Sequence, residues 1–241
     1  MTDRPRPQLW NPDKRGTLIV GDARTGTHFL QRVIADRVVL DRSVRCNDEI
    51  DIGWQAYWPR TVRAALDALE DDRAYQVAIV NGVVAKNELI AHPSAIEHWH
   101  VIRLTRRDKV GWFRSWGLFF MHENSEYNQQ QRVDLQSGFF LHHGTSSDAY
   151  LSSLQRRGPI VLGAQDIEQI GGHVSLHVLS KLIAVDEEVD YDTLPALQSD
   201  NAHWKGNQYP DIDLAMFFEN WPEIEAMLAG WTDIDVPGRF R

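Results

Sequence analysis

The sequence predicts an α/β fold of three layers, a central and mainly parallel sheet flanked by helices. Three observations point there. Short apolar runs at 17–20, 74–81 and 98–105 have the length and β-branched content of buried strands, and segments with apolar residues at helical spacing separate them. Strands alternating with helices favour parallel pairing, because a parallel connection needs a crossover that a helix supplies. The chain of 241 residues, 43% of them hydrophobic, is long enough to bury a full core.

Taken in order, Thr17 to Val20 form the first strand, and a Gly/Thr turn leads to a helix over about 26–40 carried by Phe29, Leu30, Val33 and Ile34. A second helix is expected over 54–69, with Trp58, Val62, Ala65 and Leu69 near helical spacing. The run 74–81 is a buried strand, 86–92 a helical turn stopped by Pro93, and 98–105 a further strand. Asp108 stands where it can cap the next helix, whose Val110, Trp112, Phe113, Trp116, Phe119 and Phe120 make it largely buried. Beyond it, 159–163 reads as a strand, 165–170 and 174–184 as helical, and 211–228 as an amphipathic terminal helix. The stretch 123–144 reads as a helix and an excursion over a pocket, and 199–210 as a polar binding loop or lid.

Residues 1–15, with three prolines and four basic residues, are expected to form a flexible N-terminal arm, without the apolar centre of a signal peptide. Residues 16–241 are then one α/β domain. No apolar run approaches the roughly 20 residues of a membrane span, and the single Cys46 can make no internal disulfide. A soluble, cytoplasmic setting is expected. A formal charge of −9 argues against nucleic acid and anionic membranes as partners, since both need an extended basic face. A small anion remains compatible, because a pocket needs few cations and clusters such as Arg103-Leu-Thr-Arg-Arg107 can supply them.

The turn Gly21-Asp-Ala-Arg-Thr-Gly26 followed by Thr27-His28 carries the first functional signal. Its glycine spacing is that of a phosphate-binding loop between strand and helix, where backbone N–H groups at a helix N-terminus accept an anion. The Lys-Ser/Thr pair of ATP and GTP hydrolases is replaced by Thr27-His28, and the fixed cation of the turn is Arg24. A second signal follows the strand at 98–105: Arg107-Asp108, with Ser115 eight residues beyond the arginine.

Together these motifs resemble the sulfotransferases that use 3′-phosphoadenosine-5′-phosphosulfate (PAPS), a family with a P-loop-like fold. In that family a strand-loop-helix of the form Arg/Lys-(Ser/Thr)-Gly-(Thr/Ser) cradles the 5′-phosphosulfate; here it is Arg24-Thr25-Gly26-Thr27. A later arginine and a serine eight residues on bind the 3′-phosphate, which corresponds to Arg107 and Ser115. The resemblance implies cofactor contacts from Arg24, Thr25, Gly26, Thr27, His28 and Phe29, from Arg107 and Ser115, and from Lys205 and Gly206 in a degenerate basic-Gly loop. More weakly, 159–167 is similar to the family's later strand, with its usual aromatic-Glu-Asp altered. PAPS is the implied co-substrate, no metal is expected, and the acceptor would be a hydroxyl or amine of a small molecule or glycan.

Arg24 is expected near the oxygen bridging phosphate and sulfuryl group, where charge collects as that bond breaks. The acceptor also needs a base. Some members of the family place a glutamate after the first helix, which points to Glu49 or its neighbour Asp48; others use a histidine near the second strand with a lysine close by, which points to Lys86 and His92. Glu49 is favoured, with Lys86 as helper and His28 as a local alternative. Trp54 and Trp58 are candidates for the acceptor site. His173 and His177 share a helix face, but no Glu follows His173 as in zinc proteases. Two other readings remain open, a nucleotide-dependent kinase or NTP-binding protein with a degenerate P-loop, and a PAPS-binding protein without turnover.

Overall fold

A computed structural model describes residues 7–22, 25–38, 40, 42–50, 61–69, 73–116, 155–156, 158–167, 179–193 and 213–230. Within these, the chain divides into two compact units, one built from 1–107, 175–206 and 235–241, the other from 108–174 and 207–234.

The first unit holds the sheet: β1 (Gly16–Val20), β2 (Val44–Ile50), β3 (Tyr75–Val80), β4 (Trp99–Thr105) and β5 (Glu187–Asp190), in the order β2-β3-β1-β4-β5 with every pairing parallel. The three central strands are the apolar runs read from the sequence, and β1 and β3 are buried at every position, as strands covered on both faces must be. Alternation along β1 divides the core in two. Ile19 joins Phe29, Leu30, Val33 and Ile34 of α1 (Thr27–Arg37) on one face. Leu18 and Val20 join Val62 and Leu66 of α2 (Val62–Asp67) and Ala85 and Leu89 of α3 (Val83–Ala91) on the other. Helices on both faces of a parallel sheet make the three layers expected.

The edge strands were not anticipated. Val44–Ile50 reads Val-Arg-Cys-Asn-Asp-Glu-Ile and is irregular between Cys46 and Glu49, where its register with β3 shifts; β5 is four residues, three of them acidic. Short, charged strands are what sheet edges tolerate. The second helix is shorter than its expected span: Thr61, after Pro59, starts it by accepting a hydrogen bond from the Ala64 N–H at 3.1 Å, and 54–60 lie outside the described residues. Residues 7–15, expected within a flexible arm, lie against the sheet. Leu9 is buried in the core, its carbonyl accepts from Thr17 Oγ1 at 3.1 Å, and the Gln8 carbonyl lies 2.7 Å from His100 Nε2.

In the second unit, α4 (Lys109–Trp116) is capped by Asp108, whose carboxylate accepts from the Gly111 N–H at 2.8 Å, as expected. Phe113 packs on Phe218 and stacks on Trp221 of α5 (Trp221–Gly230), with ring centroids 5.4 and 5.8 Å away. The strand expected at 159–163 reduces to one bridge between Ile160 and Phe218. The helix expected over 211–228 is broken: a 3₁₀ turn at Leu214–Met216 precedes α5, and between them Asn220 exchanges two 3.0 Å hydrogen bonds with the Leu162 backbone. Pro222 suits the first turn of α5, where its missing N–H costs nothing. The segments 123–144, 168–178 and 199–210 lie outside the described residues. Among the described residues no helix is long and apolar enough to cross a membrane.

Candidate anion site at the end of the central strand

The turn after β1 stands in the middle of the sheet, with β3 on one side and β4 on the other. In a parallel sheet all strand ends of one kind share an edge, so the loops after β1, β3 and β4 gather there. The turn is closed by its own groups. Thr25 N–H and Oγ1 donate to the Asp22 carbonyl at 3.2 and 2.7 Å, and the Asp22 N–H donates to Thr25 Oγ1 at 3.3 Å. Thr25 and Thr27 are buried, so their hydroxyls shape the turn from within; Asn81 Nδ2 donates to Thr27 Oγ1 at 3.4 Å.

Two glycines are required by contact. Gly26 caps α1 in the left-handed conformation, φ +91°, and a Cβ there would come within 2.3 Å of the Tyr191 ring. At Gly21 a Cβ would lie 2.4 Å from Thr27 Cγ2. Gly26 makes no side-chain cap, and the turn leads straight into the first turn of α1, the positive end of the helix dipole. His28 is exposed in this first turn, whereas the Phe29 ring is buried against Tyr191, leaving the backbone as its possible contribution.

Tyr191, just after β5, ties this turn to β4: its ring meets Phe29 edge-on at 6.4 Å, lies against Gly26, and carries the Arg106 guanidinium 4.5 Å above its face. Arg106 is buried and its neighbour Arg107 is 63% exposed, its Nε 3.2 Å from Asp190 Oδ2 in an ion pair. That carboxylate orients Arg107 at the end of the strand beside β1.

Lys86 is buried in α3 and ion-paired with Asp22 Oδ1, to which Ser180 Oγ also donates at 3.4 Å. The structure therefore brings Lys86 to the turn, but as the partner of Asp22. Glu49 and Asp48 belong to β2, two places from β1 in the sheet, and their carboxyl groups lie outside the described residues. His92 is exposed and follows the last residue of α3, about 13 Å along the helix from its start. Ser115 lies in α4, its side chain outside the described residues, as are Arg24, Trp54, Trp58, His173, His177, Lys205 and Gly206 altogether. Asp22, Ser180, Arg106 and Tyr191 were missed. The one legible sign was Asp22 itself, a carboxylate in the buried turn between strand and helix, which requires a cation beside it.

Among the described residues no group of three or more His, Cys, Asp or Glu could hold a metal ion. No protein-family model, curated protein or solved structure matches the chain.

Proposed function

We propose that the protein is a sulfotransferase that moves the sulfuryl group of PAPS to a hydroxyl or amine of a small-molecule or glycan acceptor. The observation that carries this reading is the turn from Gly21 to Thr27: closed by Thr25, dependent on glycine at 26, and opening the N-terminus of α1 at the centre of an all-parallel sheet. Such a turn suits the 5′-phosphosulfate. Arg107 supports it, an exposed guanidinium paired with Asp190 just beyond the end of the adjacent strand and suited to a second phosphate.

In this reading the N–H groups of Gly26 to Phe29 hold the 5′ end and Arg107 holds the 3′-phosphate. The acceptor oxygen or nitrogen bonds to sulfur as the bond from sulfur to the bridging oxygen breaks. Arg24 meets the charge left on that oxygen, and a base, Glu49 in the favoured assignment, takes the acceptor proton. The products are the sulfated acceptor and adenosine 3′,5′-bisphosphate.

The reading is tested by incubating the full chain with PAPS and a panel of phenols, sugars and amines, and following adenosine 3′,5′-bisphosphate. Acceptor-dependent release that falls in Arg24→Ala supports it. Binding of the bisphosphate with no release across the panel favours a protein without turnover, and magnesium-dependent ATP binding in its place favours a kinase-like NTP site.

A further inference from the structure

The pair of Asp22 and Lys86 is a buried charged contact next to the turn. Lys86 is 1% exposed, and the Asp22 side chain 12%. Three separate pieces of chain converge on one carboxylate: the loop after β1, helix α3 through Lys86, and the helical residues 179–181 through Ser180. The same residue's backbone carbonyl receives two of the three hydrogen bonds that close the turn on Thr25. Asp22 thus joins two functions, its main chain shaping the anion turn and its side chain fastening that turn to the layer beneath.

An ammonium held this way acts differently from one that touches a bound anion. Its charge is offset by the carboxylate beside it, and its long side chain is fixed in a buried path. We infer that Asp22, gripped by Lys86 and Ser180, is a positioning residue for the cradle, and that Lys86 influences the bound anion through Asp22. This deepens the reading of the turn as the 5′-phosphosulfate site and rests on it. It also gives a reason for a carboxylate in an anion-binding loop: repulsion at Asp22 is cancelled by Lys86, while the pair fixes where the N–H groups of Gly26 to Phe29 stand.

The alternative, Lys86 in direct contact with the anion, makes an opposite forecast for one substitution. If Lys86 touches the anion, removing its competitor in Asp22→Asn frees the ammonium and tightens binding. If it acts through Asp22, Asp22→Asn loosens the turn and weakens binding.

The test uses the full-length chain and adenosine 3′,5′-bisphosphate as probe, with affinities measured where thermal melts show each variant folded. Asp22→Asn and Lys86→Met are each expected to weaken binding about tenfold, and the double variant no further, because both remove one shared linkage. Lys86→Arg should fall between wild type and Lys86→Met. Ser180→Ala, which removes a single 3.4 Å contact and leaves the ion pair, should weaken binding about twofold to threefold. Tighter or unchanged binding in Asp22→Asn, or additive losses in the double variant, would overturn the inference. Hydrogen exchange of the unliganded variants provides a readout that needs no ligand: amides 25–29 should exchange faster in Asp22→Asn and Lys86→Met while those of β3 and β4 keep wild-type rates. Unchanged exchange at 25–29 would also overturn it. Should wild type bind no bisphosphate, the sulfotransferase reading falls, and exchange alone decides the role of Asp22.

Discussion

Replacing Gly26 with alanine perturbs the turn at its most constrained point. A left-handed conformation costs an L-residue about 1–2 kcal/mol, and Gly26 sits at φ +91°. The added Cβ would approach Tyr191 to 2.3 Å. That ring cannot retreat freely: it is 7% exposed, packed against Phe29 and covered by Arg106. Forcing a methyl group into a filled site costs about 1–3 kcal/mol. The two contributions together give roughly 2–5 kcal/mol, or about 4–20 °C in Tm for a chain of this size. Thermal melting of Gly26→Ala measures the sum, and a cycle with Tyr191→Ala separates it. Removing the ring costs about 3–5 kcal/mol alone but relieves the clash, so the double variant should be more stable than the summed losses imply by about 1–3 kcal/mol. Gly26→Ala within about 0.5 kcal/mol of wild type would refute the reasoning, and additive losses would refute its steric part.

Further expectations concern the ligand, the thiol and alkaline pH. Arg107→Ala should weaken binding of adenosine 3′,5′-bisphosphate, whereas Arg24→Ala should chiefly lower turnover, since one guanidinium is assigned to a spectator phosphate and the other to a developing charge; titration and initial rates separate them, and wild-type affinity in Arg107→Ala would contradict the first assignment. Burial pushes the half-buried Cys46 thiol up, with nearby Arg32 opposing and Asp36 adding to it. This single cysteine should therefore react with iodoacetamide at pH 8 far more slowly in the folded chain than in urea, and equal rates would show it open to solvent. Burial likewise raises the Tyr75 phenol above its ordinary 10.0, although Thr17, the Asn11 N–H and Arg42 act against it. The folded chain then keeps that proton to higher pH than the unfolded chain. The contribution is whole below about pH 10 and is lost as pH climbs from there through the folded value. Tyr75→Phe should flatten the alkaline decline in Tm; an identical decline in both proteins would place its cause elsewhere.

The three central strands were legible because burial on both faces leaves a continuous apolar run, as in Tyr75–Val80. The edge strands were not, because β2 and β5 each pair on one side and carry charges that read as loop. Helix boundaries followed local chemistry where a cap was visible, as at Asp108, and failed where Asn220 interrupted an apolar period. At the turn, Thr25 and Gly26 could be read from spacing, since strand, turn and helix are contiguous. Its supports could not. Lys86 meets Asp22 across 64 positions, and Tyr191 reaches Gly26 from beyond β5. Such contacts arise from sheet order, which periodicity does not encode. Lys86 was singled out as a helper to the base from its place in the resemblance, and the structure pairs it with Asp22.

Calorimetric titration of the full chain with adenosine 3′,5′-bisphosphate, run beside ATP and each with and without magnesium, tests the sulfotransferase reading at its nucleotide end without requiring the acceptor. Binding that prefers the bisphosphate, persists without magnesium and weakens in Arg107→Ala is the expected result. No binding of the bisphosphate, or a preference for magnesium-ATP, would contradict it.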